Sequence, residues 1–212
     1  MHRTACRSCF LAGLLLASGA RASGIAVQVQ DMSGKVLPDT VIYAESEAPA
    51  SARPGTVEIE QRGLKFIPLV TVIQTGSTIL FPNNDKVRHH IYSFSPAHKF
   101  DQKLYSGQQA APQVFDKAGT VVLGCNIHDK MLAFVKVVDT PYFAKTDGSG
   151  AARIELAPGK YVVKAWHYNA AGGQTQEQVM MVKPGEDLAT AVFHVTLKPP
   201  VKDADAATNS NL

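Results

Sequence analysis

The chain has few cysteines and no recognisable set of catalytic residues. It contains three cysteines among 212 residues, at positions 6, 9 and 125. We find no Ser-His-Asp arrangement, no phosphate-binding loop and no carboxylate pair in a catalytic context. These absences give no residue support for a hydrolase or a transferase, so we expect a protein that is not an enzyme.

The first 22 residues have the pattern of a secretory signal peptide. Arg3 and Arg7 give a positive start, residues 9–17 form an apolar stretch too short to span a bilayer, and Ala20 and Ala22 suit a cleavage site. We therefore predict export to the periplasm, with no membrane span after cleavage. Two of the three cysteines lie in this leader, so the mature chain would keep one.

The net charge of the chain also depends on this leader. The full sequence has 21 Lys and Arg against 18 Asp and Glu, which gives a formal net charge of +3. The leader holds Arg3, Arg7 and Arg21 and no acidic residue, so its removal brings the net charge from +3 to 0. A neutral mature chain has no overall field to attract nucleic acid or an anionic membrane.

A cluster of potential metal ligands lies in the second half of the chain. Cys125, His128 and Met131 fall within one short segment, and the pair His89 and His90 lies upstream on a predicted strand. A lone cysteine in an exported chain is free, paired between chains or bound to metal. One thiolate, two imidazoles and one thioether form the ligand set of a blue-copper site. We therefore predict one copper ion per chain, bound by the three loop residues and one upstream histidine.

The sequence pattern predicts an all-β fold. Short runs rich in β-branched residues recur along the mature chain, separated by Gly, Pro, Asn and Asp. Such spacing is typical of β-sandwiches, and no sustained helical period appears outside the leader. We expect the polar tail, residues 199–212, to be disordered.

Two sequence blocks around the ligands match a known family. They are Cys125-x2-His128-x2-Met131 and Phe81-Pro-Asn-Asn-Asp-Lys-Val-Arg-His89. With them, residues 58–138 resemble a cupredoxin of the plastocyanin and amicyanin type, which implies a Greek-key β-sandwich with one type I copper. In that family an Asn begins the turn and the ligand His follows six positions later, as Asn83 and His89 do here. The resemblance therefore favours His89, with His90 as the alternative.

One position departs from the family pattern. The family usually has Asn directly after the first ligand His, and this chain has His90 there. Adjacent residues of a strand face opposite sides, so only one of the two histidines can point inward. Asp85 and Asp129 are candidates for turn formers or for acceptors that support the ligands.

The resemblance implies a carrier of single electrons. In the family the loop histidine, here His128, is the electron port, and a protein partner such as a dehydrogenase or a cytochrome c docks near it. Leu132, Phe134 and Pro96 are candidates for an apolar docking rim, although core packing is the simpler interpretation of Phe134. The alternative is a copper-binding module for storage, delivery or metallocentre assembly. The absence of Met- and His-rich tracts favours the carrier.

The mature chain also resembles exported proteins of the methylamine utilisation family. The residues concerned are His89-His-Ile-Tyr-Ser-Phe-Ser95 and Gly124-Cys-Asn-Ile-His-Asp129. This resemblance implies a role in methylamine or amine oxidation.

The flanks of the copper segment match a second family in two separate pieces. The turns at Asp147-Gly148 and Leu156-x-Pro-Gly-x-Tyr161 resemble the second half of a carboxypeptidase-regulatory-like or transthyretin-like β-sandwich, and residues 29–43 resemble its first half. We therefore predict a discontinuous sandwich of residues 24–50 and 139–198.

The copper domain, residues 58–138, would then be inserted into this sandwich. Such insertion is tolerated where the two ends of the interrupted loop lie close together. If the prediction holds, Val29 and Ile42 should pack with Val162 and Val195, although more than a hundred residues separate the two pieces.

Overall fold

The structure is a computed structural model that describes residues 23–47, 51–105, 110–128 and 131–199. The predicted leader, Asp129 and residues 200–212 of the predicted tail lie outside these ranges. No helix among the described residues is long and apolar enough to cross a membrane. The all-β prediction is confirmed, since the described elements are strands and one short 3-10 turn at Ala171–Gly173.

In chain order the strands are β1 (Gly24–Asp31), β2 (Val41–Glu45), β3 (Thr56–Glu58), β4 (Glu60–Gln61), β5 (Phe66–Ile67), β6 (Val70–Gln74), β7 (Ser77–Leu80), β8 (His89–Ser93), β9 (Phe100–Tyr105), β10 (Gln113–Phe115), β11 (Gly119–Gly124), β12 (Leu132–Val138), β13 (Phe143–Lys145), β14 (Ala151–Glu155), β15 (Gly159–Trp166), β16 (Thr175–Val182) and β17 (Ala189–Val195).

Strands β3 and β6–β12 form the central sandwich. One sheet has the order β6-β12-β11-β8-β9 and the other β10-β7-β3. Strand β12 runs parallel to β6 and antiparallel to β11. The two sheets share an apolar core that includes Ile79, Phe115, Leu123 and Val135, all fully buried. Strand β3 pairs with β7, so the first strand of this unit begins two residues before position 58.

Strands β1, β2 and β13–β17 form the flank sandwich. Its sheets have the orders β14-β1-β17 and β13-β2-β15-β16, so each sheet places one strand from before the central sandwich between two strands from after it. Val29, Ile42 and Val195 lie in its core as expected, but Val162 does not. Val163 occupies the core instead, because side chains of a strand alternate between its two faces.

The two sandwiches pack against each other through a third apolar cluster. Val41, Tyr43 and Trp166 of the flank sandwich contact Val70 and Val138 of the central one. The ammonium of Lys136, on β12, lies 5.4 Å from the centre of the Trp166 ring and 5.7 Å from that of Tyr43. Burial, and then the charge of Lys164, lowers the pKa of Lys136. The aromatic faces partly offset the cost of burying this cation.

Candidate metal centre

The loop between β11 and β12 carries the predicted cluster of ligands. β11 ends at Gly124, and the buried Cys125 follows directly. The Met131 N–H donates to the His128 carbonyl over 2.9 Å, which closes the loop before β12 begins. A Cβ at Gly124 would lie 2.8 Å from the ring of Tyr92 on β8, so only glycine lets this ring lie against the start of the loop.

Three of the predicted ligands converge at the end of the central sandwich. The side-chain ligand atoms of His89, Cys125 and His128 all lie within 4.8 Å of one another. The Cys125 Sγ is 3.8 Å from the His128 Nδ1, and the two histidine rings are 5.0 Å apart. His89 and Cys125 are buried, whereas His128 is partly exposed. The cluster therefore combines a buried residue of β8, a buried residue of the loop and a partly exposed residue of the same loop.

The atoms of this cluster fit a metal ion. Among the described residues, the buried Nδ1 atoms of His89 and His90 both lack a hydrogen-bond partner, which is a costly state for a buried polar atom, and of the two histidines only His89 belongs to the cluster. The separation of 3.8 Å between Cys125 Sγ and His128 Nδ1 suits two ligands that share one ion, since metal–nitrogen and metal–sulfur bonds are about 2.0 and 2.3 Å. A thiolate with two imidazoles is a soft donor set that suits copper.

Asp85 fixes the orientation of His89 from behind. The His89 Nε2 donates to the Asp85 Oδ2 over 2.7 Å, which leaves Nδ1 as the ring atom free to bind. The same carboxylate accepts the backbone N–H groups of Gly63 at 2.7 Å and Leu64 at 3.1 Å. Burial raises the pKa of Asp85, but these two N–H groups and His89 outweigh it and lower the pKa below its ordinary value.

The turn that holds Asp85 begins at Asn83, as the resemblance implies. The Asn83 Oδ1 accepts the Asp85 N–H over 3.0 Å, and the Asn83 Nδ2 donates to the Val87 carbonyl over 2.9 Å. The sequence identified Asp85 only as one candidate support. Its contacts with Gly63 and Leu64 had no signal in the sequence, because those residues lie in the distant β4–β5 hairpin.

His90 lies apart from the cluster. Its Nε2 makes a hydrogen bond with the Asp101 Oδ1 on the neighbouring strand β9. His90 and Asp101 line a cavity of about 360 Å³ together with Lys103 and Asn126. His89 and His90 therefore face different surroundings, as the alternation of strand side chains requires.

Met131, the fourth predicted ligand, is 2% exposed and belongs to the same apolar cluster as Cys125.

The residues predicted to form an apolar docking rim differ in their exposure and contacts. Leu132 is 44% exposed. Ile127 is 45% exposed, although the sequence had not indicated it as a docking residue. Phe134 packs against Trp166 and Tyr168 between the sandwiches.

Pro96 is exposed but lies far from the cluster along the strands. Its neighbour Ala97 lies beside Gly119, where β11 begins, and Cys125 follows the other end of that strand. Pro96 therefore does not border His128.

No family model and no curated protein matches the chain. Solved structures do match parts of it. A copper-containing nitrite reductase from Thermus scotoductus is 24% identical over 44% of this chain, with a TM-score of 0.37, and the match spans 24% of the reductase. A purple cupredoxin from Nitrosopumilus maritimus is 22% identical over 38% of this chain and 98% of its own, with a TM-score of 0.35. The reduced form of an amicyanin mutant is 20% identical over 46% of this chain and 98% of its own, with a TM-score of 0.37.

Proposed function

We propose that the chain is a type I copper protein that transfers single electrons between protein partners. The observation that carries the proposal is the convergence of the ligand atoms of His89, Cys125 and His128 within 4.8 Å, and the His89 Nδ1 has no hydrogen-bond partner. We propose these three residues and Met131 as the ligands of one copper ion. Copper in such a site would supply one-electron chemistry.

The residues around the ligands suit electron transfer. Asp85 holds the His89 ring in one tautomer and orientation, and partners of this kind tune a bound metal. Cys125 is only 5% exposed, so little of this residue is accessible to solvent. β11 and β12 pair at the base of the loop, with Gly124 opposite Leu132. A rigid frame of this kind would limit rearrangement of the ligands when an electron moves.

We propose His128 as the point where electrons enter and leave. It is the partly exposed member of the cluster, and Ile127 and Leu132 expose apolar side chains on either side of it in the chain. Such a surface suits a protein redox partner, for which a dehydrogenase or a cytochrome c is our expectation. Periplasmic location and a role in methylamine oxidation stay predictions from the sequence.

We also propose that the copper domain is inserted into the flank sandwich. The pairing of β1 with β14 and β17, and of β2 with β13 and β15, supports this organisation. The copper domain would then be the central sandwich, with residues 24–50 and 139–198 as the flank sandwich.

Copper loading of the purified mature protein tests the function. Cu(II) should give an intense thiolate-to-copper absorption near the red end of the visible range, and Cys125→Ser should abolish it because an alcohol is not such a donor. Reversible one-electron reduction in voltammetry would support a carrier. A colourless copper complex of the unaltered protein would refute the type I assignment, and a site that binds copper without reversible reduction would favour storage or delivery.

A second test separates the two histidines. His89→Ala should lose tight copper binding, whereas His90→Ala should keep the coloured site, because His90 is bonded to Asp101 and not aimed at the thiol. The reverse result would make His90 the ligand.

A further inference from the structure

The free edge of the flank sandwich has an unusual surface. β16 is the last strand of its sheet; among the described residues its backbone pairs only with β15, and its Gln178 side chain donates to the Val192 carbonyl of β17 over 2.8 Å. An eight-residue edge strand leaves a row of N–H and C=O groups available for pairing with another strand. Natural edges are commonly protected by Lys or Pro, but in this stretch those residues appear only after β16 ends, as Lys183 and Pro184.

The side chains of this strand add apolar surface to the free edge. Met180 and Val182 point into the core of the flank sandwich, whereas Val179 is 66% exposed and Met181 is 55% exposed. Val179 lies opposite the partly buried Val162 of β15. This outer face continues the one that carries Tyr43 and Trp166 in the contact with the central sandwich. On this face Lys164, which pairs with Glu45 over 2.7 Å and lies opposite Glu177, separates the aromatic contact from the exposed Val179 and Met181.

The sequence of the edge is complementary to itself. If two copies of β16 run antiparallel with Met180 opposite Met180, then Val179 lies opposite Met181, and Glu177 lies opposite Lys183 of the second copy. Side chains directly opposite each other in an antiparallel pair share one face and contact each other. A shift of the centre to Val179 would set Glu177 opposite Met181 and lose the charge pairing. The pattern of charges and apolar residues thus selects one register.

We propose that this edge is a dimer interface and that its occupant is a second copy of the chain. The two four-stranded sheets would join through β16 into one eight-stranded sheet about a two-fold axis at Met180. A contact in which the same patch meets itself closes as a dimer and does not propagate. Lys183 contacts Glu186 of its own chain at 3.2 Å, and both side chains are largely exposed. Exposed ion pairs of this kind contribute little stability, so Lys183 can leave this contact to pair with Glu177 of the second copy.

Sedimentation velocity of the full mature chain tests the interface. A thiol reductant keeps the free Cys125 from linking chains. At about 100 μM chain we expect a dimer, a range in which contacts of modest area are populated. Val179→Lys should give a monomer with an unchanged far-UV spectrum, because this side chain is exposed in the single chain and would bring a charge to the edge.

Charge reversal tests the register itself. Glu177→Lys and Lys183→Glu should each raise the dimer dissociation constant by about tenfold or more, because each creates two like-charge pairs. The double variant should restore the unaltered constant. Glu177 also lies opposite Lys164 in its own chain, so the melting temperature of each variant must be measured. The double variant still carries Glu177→Lys, so a restored dissociation constant would report the contact between copies and not the contact with Lys164.

One control and three outcomes complete the test. Glu58→Lys, on an exposed position of β3, should leave the dissociation constant unchanged. A monomer of the unaltered chain at about 100 μM would overturn the proposal. So would a dimer that is indifferent to both single reversals, or a double variant that stays as weak as the single ones.

Discussion

Asp85→Asn should weaken copper binding although Asp85 is not a proposed ligand. In the structure its Oδ2 accepts from the His89 Nε2 and the Leu64 N–H, and its Oδ1 accepts from the Gly63 N–H. An amide offers one acceptor oxygen in place of two. The asparagine must therefore set its NH2 group against at least one of these donors, and no rotation of the side chain serves all three.

The size of the effect follows from these contacts. The side chain of Asp85 is 14% exposed, so water replaces little of what is lost. A buried hydrogen bond to a charged group is worth about 1.5–3 kcal/mol. Removing such a partner of a metal-bound histidine costs about 10- to 100-fold in affinity, or about 1.4–2.7 kcal/mol. The two ranges overlap, so we expect the copper dissociation constant to rise about 10- to 100-fold.

A competition titration against a chelator of known affinity measures this change. Asp101→Asn is the matched control, because it makes the same chemical change beside His90 at a carboxylate that is 66% exposed. We expect a loss of less than about fivefold for the control. Equal affinity of Asp85→Asn and the unaltered protein would refute the reasoning, and a larger loss from Asp101→Asn would point to His90 as the ligand.

Two further predictions concern stability and domain structure. Burial lowers the pKa of His167 below 6.5, although the charge of Asp39 and a hydrogen bond to the Pro38 backbone act to raise it. The His167 Nδ1 accepts the Asn169 N–H. The unfolded chain then binds the proton more readily, so the metal-free protein should lose stability as the pH falls below 6.5, and thermal melts of His167→Gln should show a shallower loss. A fragment of residues 53–138 should keep the copper absorption but melt below the full chain, because it exposes the face that Trp166 covers; an unchanged melting temperature would contradict this.

The ligand loop could be predicted because its information is local. Three of the four proposed ligands lie in one short loop, residues 125–131, so their spacing and residue types were enough to single them out. The fourth depended on which face of β8 points inward. Strand alternation limited that choice to His89 or His90, and only the observed contacts with Asp85 and Asp101 distinguish their surroundings.

Contacts between distant segments were beyond the sequence. The prediction that Val162 packs in the core of the flank sandwich was wrong, because Val163 lies there. Side chains of a strand alternate between its two faces, so an error of one residue moves the predicted side chain to the opposite face. The support of Asp85 by Gly63 and Leu64 joins a loop to a hairpin more than twenty residues away. No periodicity encodes such a contact, because it depends on how the strands between are paired.

The contact between the sandwiches gives β12 a role on both of its faces. Ala133, Val135 and Val137 point into the core of the central sandwich, whereas Phe134 and Val138 pack toward the flank sandwich. β12 begins directly after Met131, so the strand that ends the ligand loop is fixed from two sides. Movement of this strand would disturb two apolar clusters at once, and close-packed interiors resist such displacement. The flank sandwich thus supports the strand that follows Met131, which would give the proposed domain insertion a physical link to the proposed metal centre.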